Sequence, residues 1–152
     1  MATTVNTQAV AGTSRRTKAT AGPVWKVAGL ASLGGLVVAG VYEAIVRAAG
    51  VSFEMGASAA DSKPVPAGGF VGFTAMVAVA GILLAVALAR WAKRPGRTYA
   101  VTAWAVVAVS LALPFLPPYM DGDTRVVLVL SHLVVAAAVV PVVAKRLGQI
   151  QR

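Results

Sequence analysis

The chain has 152 residues, of which 58% are hydrophobic and only 12% are charged, and its mean hydropathy is +0.78. Soluble domains carry about 25% charged residues, so this composition excludes an ordinary soluble globule and a disordered chain. Cysteine is absent, which excludes disulfides and thiolate metal sites. The formal net charge is +9. We interpret this positive charge as basic residues that lie beside anionic lipid on the cytoplasmic side of a membrane. We expect no nucleic-acid partner.

Four long apolar blocks follow one another along the chain. A helix needs about 20 residues to cross a bilayer core, and each block is close to this length. None shows the alternation that is typical of a membrane β-barrel. The predicted fold is therefore all-α, a four-helix transmembrane bundle over residues 24–147. The predicted helices span about 24–49, 66–91, 98–117 and 124–146.

The positive charges are unevenly distributed between the ends of these blocks. They concentrate in the N-terminal segment, in the turn between the second and third helices, and at the C-terminus. By the positive-inside rule, both termini are predicted to lie in the cytoplasm and the protein to lie in the cell membrane. Residues 1–23 are expected to form a disordered cytoplasmic tail, and residues 148–152 a second, short one.

The first helix carries a stripe of small residues. Apolar burial cannot drive helix association in lipid, so close approach of small side chains matters more. The stripe repeats every four residues, and we expect it to face protein: Ala31, Gly35, Ala39 and Glu43. In the third and fourth helices Pro114 and Pro141 each remove a backbone hydrogen bond, which predicts kinks.

Six polar side chains form the candidate site. At about 1.5 Å per residue from each helix centre, they fall in the extracytoplasmic half of the bundle. Ionisable groups at such depth are costly and usually face protein or a water-filled cavity. The candidates are Glu43, Arg47, Thr74, Ser110, Arg125 and His132.

Two interpretations of these residues remain open. Glu43 and Arg47 are four residues apart, the spacing of a helical ion pair. Arg125 and His132 are seven apart and share a face of the fourth helix, from which either could bridge to Glu43. In the structural interpretation the ion pair fixes helix packing, and His132 bonds a neighbour. In the functional one the groups line an outward-facing polar pocket for an ion, a proton or a small ligand.

Several short motifs carry a family resemblance. A run from Glu43 through Arg47 and Gly50 to Phe53 closes the first span, and a basic turn ends the second. Arg125 opens the fourth span, which continues with Ser131-His132-Leu133-Val134 and ends with Pro141 before Ala144-Lys145-Arg146. Over roughly residues 24–147 the chain resembles a family of small actinobacterial four-helix membrane proteins catalogued as a domain of unknown function. The resemblance implies the fold and no activity.

The leading functional interpretation is a non-enzymatic accessory or interaction subunit, acting as a homo-oligomer or in a larger membrane complex. The alternative is a small transporter or ligand-binding membrane protein that uses Glu43 and His132. A membrane enzyme would need His132 as its base, but no nucleophile or set of metal ligands accompanies this residue. We therefore expect no enzyme activity, no cofactor and no metal.

Overall fold

A computed structural model of the chain describes residues 24–149. The helices are α1 (Val24–Ala48), α2 (Gly69–Trp91), α3 (Pro95–Ser110) and α4 (Gly122–Gly148), with a 3-10 turn at Leu113–Phe115. All four spans, the third counted to Phe115, are long and apolar enough to cross a membrane. The prediction of an all-α, four-helix transmembrane bundle is confirmed. The predicted tail at 1–23 and residues 150–152 lie outside the described residues.

The helices are arranged so that α1 lies between α2 and α4, and α3 packs on α4. Val24 and Leu147 belong to one apolar cluster, so both ends of the described chain meet at one end of the bundle. The turn between α2 and α3, with Lys93 and Arg94, and the first turn of α3, with Arg97, lie at the same end, which we call the basic end. The opposite end carries the α1–α2 and α3–α4 connections, and we call it the loop end.

The apolar core lies toward the basic end, where α3 and α4 make backbone contact. A Cβ atom added to Gly96 would lie 2.6 Å from the backbone nitrogen of Gly148 and 2.7 Å from the carbonyl oxygen of Ala144. Only a residue without a side chain allows this approach, which maximises van der Waals contact between helices in lipid. The buried members of the core are Val24, Ala28, Ala85, Tyr99, Ala136, Val140, Val143 and Leu147.

The stripe on α1 is buried, although in the half nearer the start of α1 its buried residues differ from the predicted ones. Gly35, Ala39 and Glu43 are buried as expected, but the stripe continues through Ser32 and Ala28. Ala31 is only half-buried. A turn of 3.6 residues requires steps of three as well as four, and a strict four-residue repeat therefore drifts off the face.

Two helix boundaries differ from the predicted ones for identifiable reasons. Helix α2 begins at Gly69 and not at Pro66, because Gly68 takes a φ of 85° and Arg47 binds the Pro66 carbonyl. Helix α3 begins at Pro95, since proline suits the first turn of a helix, and it ends at Ser110.

The two prolines that were expected to kink helices differ in their placement. Pro114 lies beyond the end of α3, in the 3-10 turn. The prediction that it interrupts the third helix is therefore wrong. Pro141 lies inside α4, as expected.

A small antiparallel sheet at the loop end was not predicted. Its strands are β1 (Glu54–Gly56), β2 (Lys63–Pro64) and β3 (Tyr119–Met120), in the order β2-β1-β3. Met55 is paired with Lys63 on one side and with Met120 on the other. The sheet therefore joins the α1–α2 connection to the α3–α4 connection.

The contact at Gly96 gives a stability prediction. We expect Gly96→Ala to lower the free energy of unfolding by about 1–3 kcal/mol, because its methyl group must displace backbone rather than a flexible side chain. Gly72→Ala is the matched control, since a Cβ at Gly72 meets nothing within 4 Å. Thermal unfolding in detergent measures both, and equal midpoints for the two variants would contradict the close approach of α3 to α4.

Candidate functional site

The carboxylate of Glu43 lies at the centre of the candidate site and is only 4% exposed. Its Oε1 accepts hydrogen bonds from Nε (3.0 Å) and Nη2 (2.9 Å) of Arg47 and from the Gly68 N–H (2.8 Å). Its Oε2 accepts the Phe70 N–H at 3.2 Å. Both oxygens are therefore engaged, which offsets the cost of burying a charge.

Glu43 acts as a helix cap supplied by a neighbouring helix. The first amides of a helix have no partner within the helix, and Gly68, at the N-cap of α2, has no side chain to bind them. The carboxylate of α1 takes this place and puts negative charge at the positive end of the α2 dipole. It thereby fixes the start of α2 against the last turns of α1.

Arg47 extends this arrangement to the connection that precedes α2. Its Nη2 also donates to the carbonyl oxygens of Val65 (2.9 Å) and Pro66 (3.0 Å). Its guanidinium carbon lies 4.7 Å from the centroid of the Phe53 ring, close enough for a cation–π interaction. Arg47 lies in the last turn of α1, where positive charge favours the helix dipole.

An aromatic cluster lies beside the ion pair of Glu43 and Arg47. Phe53 is fully buried and adopts a φ of 54°, and its ring meets Phe70 edge-on at 5.1 Å. Phe70 stacks on Tyr42 at 6.4 Å. The Tyr42 hydroxyl donates to the carbonyl of Val127 at 2.9 Å, which connects the cluster to α4.

Arg125 serves the other connection at the loop end. Its Nε donates to the Pro114 carbonyl at 3.3 Å, and its guanidinium carbon lies 5.2 Å from the Phe115 ring centroid. It therefore holds the 3-10 turn against the start of α4, in the way that Arg47 holds the start of α2.

His132 bonds within its own helix. Its Nδ1 lies 2.6 Å from the Leu128 carbonyl oxygen, and Nδ1 is the donor of this hydrogen bond because a carbonyl oxygen only accepts. Nε2 is buried and has no hydrogen-bond partner among the described residues. The ring centroid lies 6.4 Å from that of Phe73 on α2.

The six candidates do not gather into one hydrogen-bonded cluster. Glu43 and Arg47 form the expected ion pair, but within residues 24–149 no hydrogen bond or ion pair joins Glu43 to Arg125 or His132. Ser110 donates to the Val107 carbonyl of its own helix at 2.7 Å. Thr74 is half-buried on α2. The bridge from α4 to Glu43, which the sequence left as one possibility, is not present among the described residues, while the use of these residues as a pocket stays a prediction.

The hydrogen-bond partners of the ion pair that sequence reasoning missed are all backbone groups. They are the carbonyls of Val65 and Pro66 and the amides of Gly68 and Phe70. A signal for them existed, because an antiparallel hairpin brings the end of α1 beside the start of α2. A carboxylate near that point is favoured by the helix dipole.

A metal site was not expected from the sequence. Among residues 24–149, no three His or carboxylate side chains gather in a way that could hold a metal ion. The absence of a cofactor stays a prediction.

A comparison with protein families assigns the chain to a family. The model of a family of unknown function, DUF6069, matches residues 19–149. The chain belongs to DUF6069. The expected membership in a family of unknown function is thereby confirmed, while its actinobacterial origin stays a prediction. No curated protein and no solved structure matches the chain. With four candidate spans, this member of DUF6069 is a multi-pass membrane protein.

The saturated carboxylate gives a second stability prediction. We expect Glu43→Gln to cost about 3 kcal/mol, because it removes one charge of a buried pair and sets an amide donor against the N–H groups of α2. Asp61→Asn is the control, since Asp61 is exposed at the same end and such changes stay within about 0.5 kcal/mol. Chemical unfolding in detergent micelles measures both. Equal stability of the two variants would mean that Glu43 does not hold the loop end.

Proposed function

We propose that the protein is a non-enzymatic accessory or interaction subunit of the cell membrane, with both termini in the cytoplasm. The observation that carries the proposal is the saturation of Glu43, whose two oxygens accept four hydrogen bonds from Arg47, Gly68 and Phe70. A carboxylate that binds a transported ion must exchange its partners. Glu43 instead joins two helices and their connection, which is a structural task.

The outer surface of the helices supports an interaction role. Between Val71 and Leu84 no residue of α2 is buried, and α3 is buried only at Pro95, Gly96 and Tyr99. The exposed side chains of these two helices, such as Met76, Leu83 and Val109, face lipid or a partner helix, and a partner would add the packing that drives association in a bilayer. The partner would be a second copy of this chain or another membrane protein.

Photocrosslinking in intact cells tests the interaction role. A benzophenone amino acid is placed at one exposed position on each helix: Val37, Met76, Trp104 and Val134. We expect a discrete protein adduct from one helix face and none from the others, with mass spectrometry identifying a second copy or a different protein. Lipid adducts alone at all four positions, together with a monomer by native mass spectrometry, would contradict the proposal.

One observation favours the alternative, a small transporter or ligand-binding membrane protein. The Nε2 of His132 is buried and unpaired among the described residues, and a bound ligand would supply the missing hydrogen-bond partner. A ligand would then bind His132, with Thr74 and Ser110 as neighbours at similar depth, and Glu43 would remain structural.

Cysteine labelling separates the two functions and tests the topology, because the chain has no cysteine of its own. Intact cells carrying Thr74→Cys or Ser110→Cys are treated with a membrane-impermeant maleimide. We expect no labelling at either position, since a structural site has no water-filled access. Labelling of both would support the pocket and contradict the accessory role.

The controls for this experiment are exposed positions at the two ends of the bundle. Ser58→Cys, in the α1–α2 connection, should label in intact cells, whereas Lys93→Cys, in the turn between α2 and α3, should label only after permeabilisation. The reverse pattern would place the basic end outside the cell and would contradict the proposed topology.

A further inference from the structure

Helix α3 is shorter than the other three helices of the bundle. It has 16 residues, which at about 1.5 Å per residue gives a length of about 24 Å. The apolar core of a bilayer is about 30 Å thick. Helices α1, α2 and α4 have 25, 23 and 27 residues and exceed this thickness. Helix α3 does not reach across it.

The apolar sequence continues beyond the end of α3. After Ser110 the next charged residue is Asp121. We call residues 111–118, which include the 3-10 turn, the apolar connection. Its Phe115 and Leu116 are 62% and 71% exposed, although both are large and apolar. Adjacent apolar side chains that are this exposed indicate a surface that contacts lipid or another molecule.

The backbone of the apolar connection has almost no free hydrogen-bond donor. Three of its eight residues are prolines, which have no N–H: Pro114, Pro117 and Pro118. Four further amides donate to backbone carbonyls at 3.0 or 3.1 Å, and these are the amides of Leu111, Ala112, Phe115 and Leu116. Seven of the eight residues therefore leave no unpaired N–H, which is the condition for placing backbone in an apolar medium.

The polar side chains beside the apolar connection also bond to backbone. The Ser110 hydroxyl donates to the Val107 carbonyl at 2.7 Å. Arg125 donates from Nε to the Pro114 carbonyl at 3.3 Å, and its guanidinium carbon lies 5.2 Å from the Phe115 ring centroid. An arginine at the edge of a membrane covers apolar surface with its stem and keeps its charge at the headgroups. This places Phe115 next to the headgroup level.

The other connection at the loop end has the opposite chemistry. It carries Glu54, Asp61 and Lys63, and the last two are exposed. The Ser58 hydroxyl donates to the Asp61 carboxylate at 2.9 Å. Charged and hydroxyl side chains of this kind suit water. The two connections therefore lie at the same end of the bundle but suit different media.

We propose that the apolar connection is inserted into the membrane, at the boundary between headgroups and acyl chains of the leaflet at the loop end. Phe115 and Leu116 lie among the acyl chains, and the insertion completes the crossing that α3 leaves short. Lipid fits this surface better than a protein does. A protein interface forms about one hydrogen bond per 100–200 Å², and the apolar connection has few free N–H groups for such bonds, whereas acyl chains require none. The insertion involves neither Glu43 nor the proposed interaction role.

Spin labelling of the full chain measures the depth of the apolar connection, because the chain has no cysteine of its own. Phe115→Cys and Leu116→Cys each carry one nitroxide in phosphatidylcholine vesicles. Power saturation compares the accessibility of the label to oxygen, which concentrates among acyl chains, with its accessibility to a water-soluble nickel chelate. We expect the accessibility to oxygen to exceed that to nickel severalfold at both positions.

The control labels lie in the other connection, at the exposed positions Ala57 and Ala60. For Ala57→Cys and Ala60→Cys we expect the accessibility to nickel to exceed that to oxygen. The same order at Phe115 and Leu116 would place the apolar connection in water and would overturn the proposal. Low accessibility to both reagents at Phe115 and Leu116 would show that a second copy of the chain covers them, which would overturn it too.

A charge substitution tests the medium around Leu116 independently. In water a change at so exposed a position is nearly neutral, whereas among acyl chains a carboxylate is costly. We expect Leu116→Asp to lower the midpoint of thermal unfolding in phosphatidylcholine vesicles by about 2–4 °C. Ala60→Asp, which adds the same charge in the other connection, should leave the midpoint unchanged. Equal midpoints for the two variants would mean that Leu116 lies in water and would overturn the insertion.

Discussion

The loop end of this protein depends on one buried carboxylate. Glu43 is nearly inaccessible, yet it accepts hydrogen bonds from a guanidinium and from two amides of the following helix. Buried charge persists only where its bonds are complete, so the position of Arg47, the turn at Gly68 and the start of α2 are set together. Phe53, Phe70 and Tyr42 then pack around this pair and connect it to α4.

The helices are held together in lipid by different interactions at the two ends of the bundle. At the basic end, Gly96 lets α3 touch the backbone of α4, and the packed residues are almost all small or aliphatic. At the loop end, polar bonds and an antiparallel sheet hold long connections to the helices. Apolar burial contributes little to helix association in a bilayer. Both ends of the bundle therefore depend on short-range contacts, which are close backbone packing at the basic end and hydrogen bonds at the loop end.

Much of the fold follows from the sequence because each span is a long uncharged block and the bilayer fixes its length. The pairing of Glu43 with Arg47 followed from their spacing. The rest depended on information that is not local. The partners of Glu43 on α2 are backbone amides, which every sequence has. The sheet strands are two or three residues long, too short for a periodic pattern. Arg125 and His132 share a helix face, but neither forms a bond to Glu43. The depth and the facing of a long side chain do not determine which neighbour it contacts.

Glu43 caps α2 from outside that helix. Amide hydrogen exchange, resolved by residue in detergent micelles, measures this most directly for the N–H groups of Gly68 and Phe70. In Glu43→Gln we expect both amides to exchange at least about tenfold faster than in the parent protein, while the amides of α3 at the basic end keep their rates. Unchanged exchange at Gly68 and Phe70 would show that the carboxylate does not hold the start of α2, and would contradict the account.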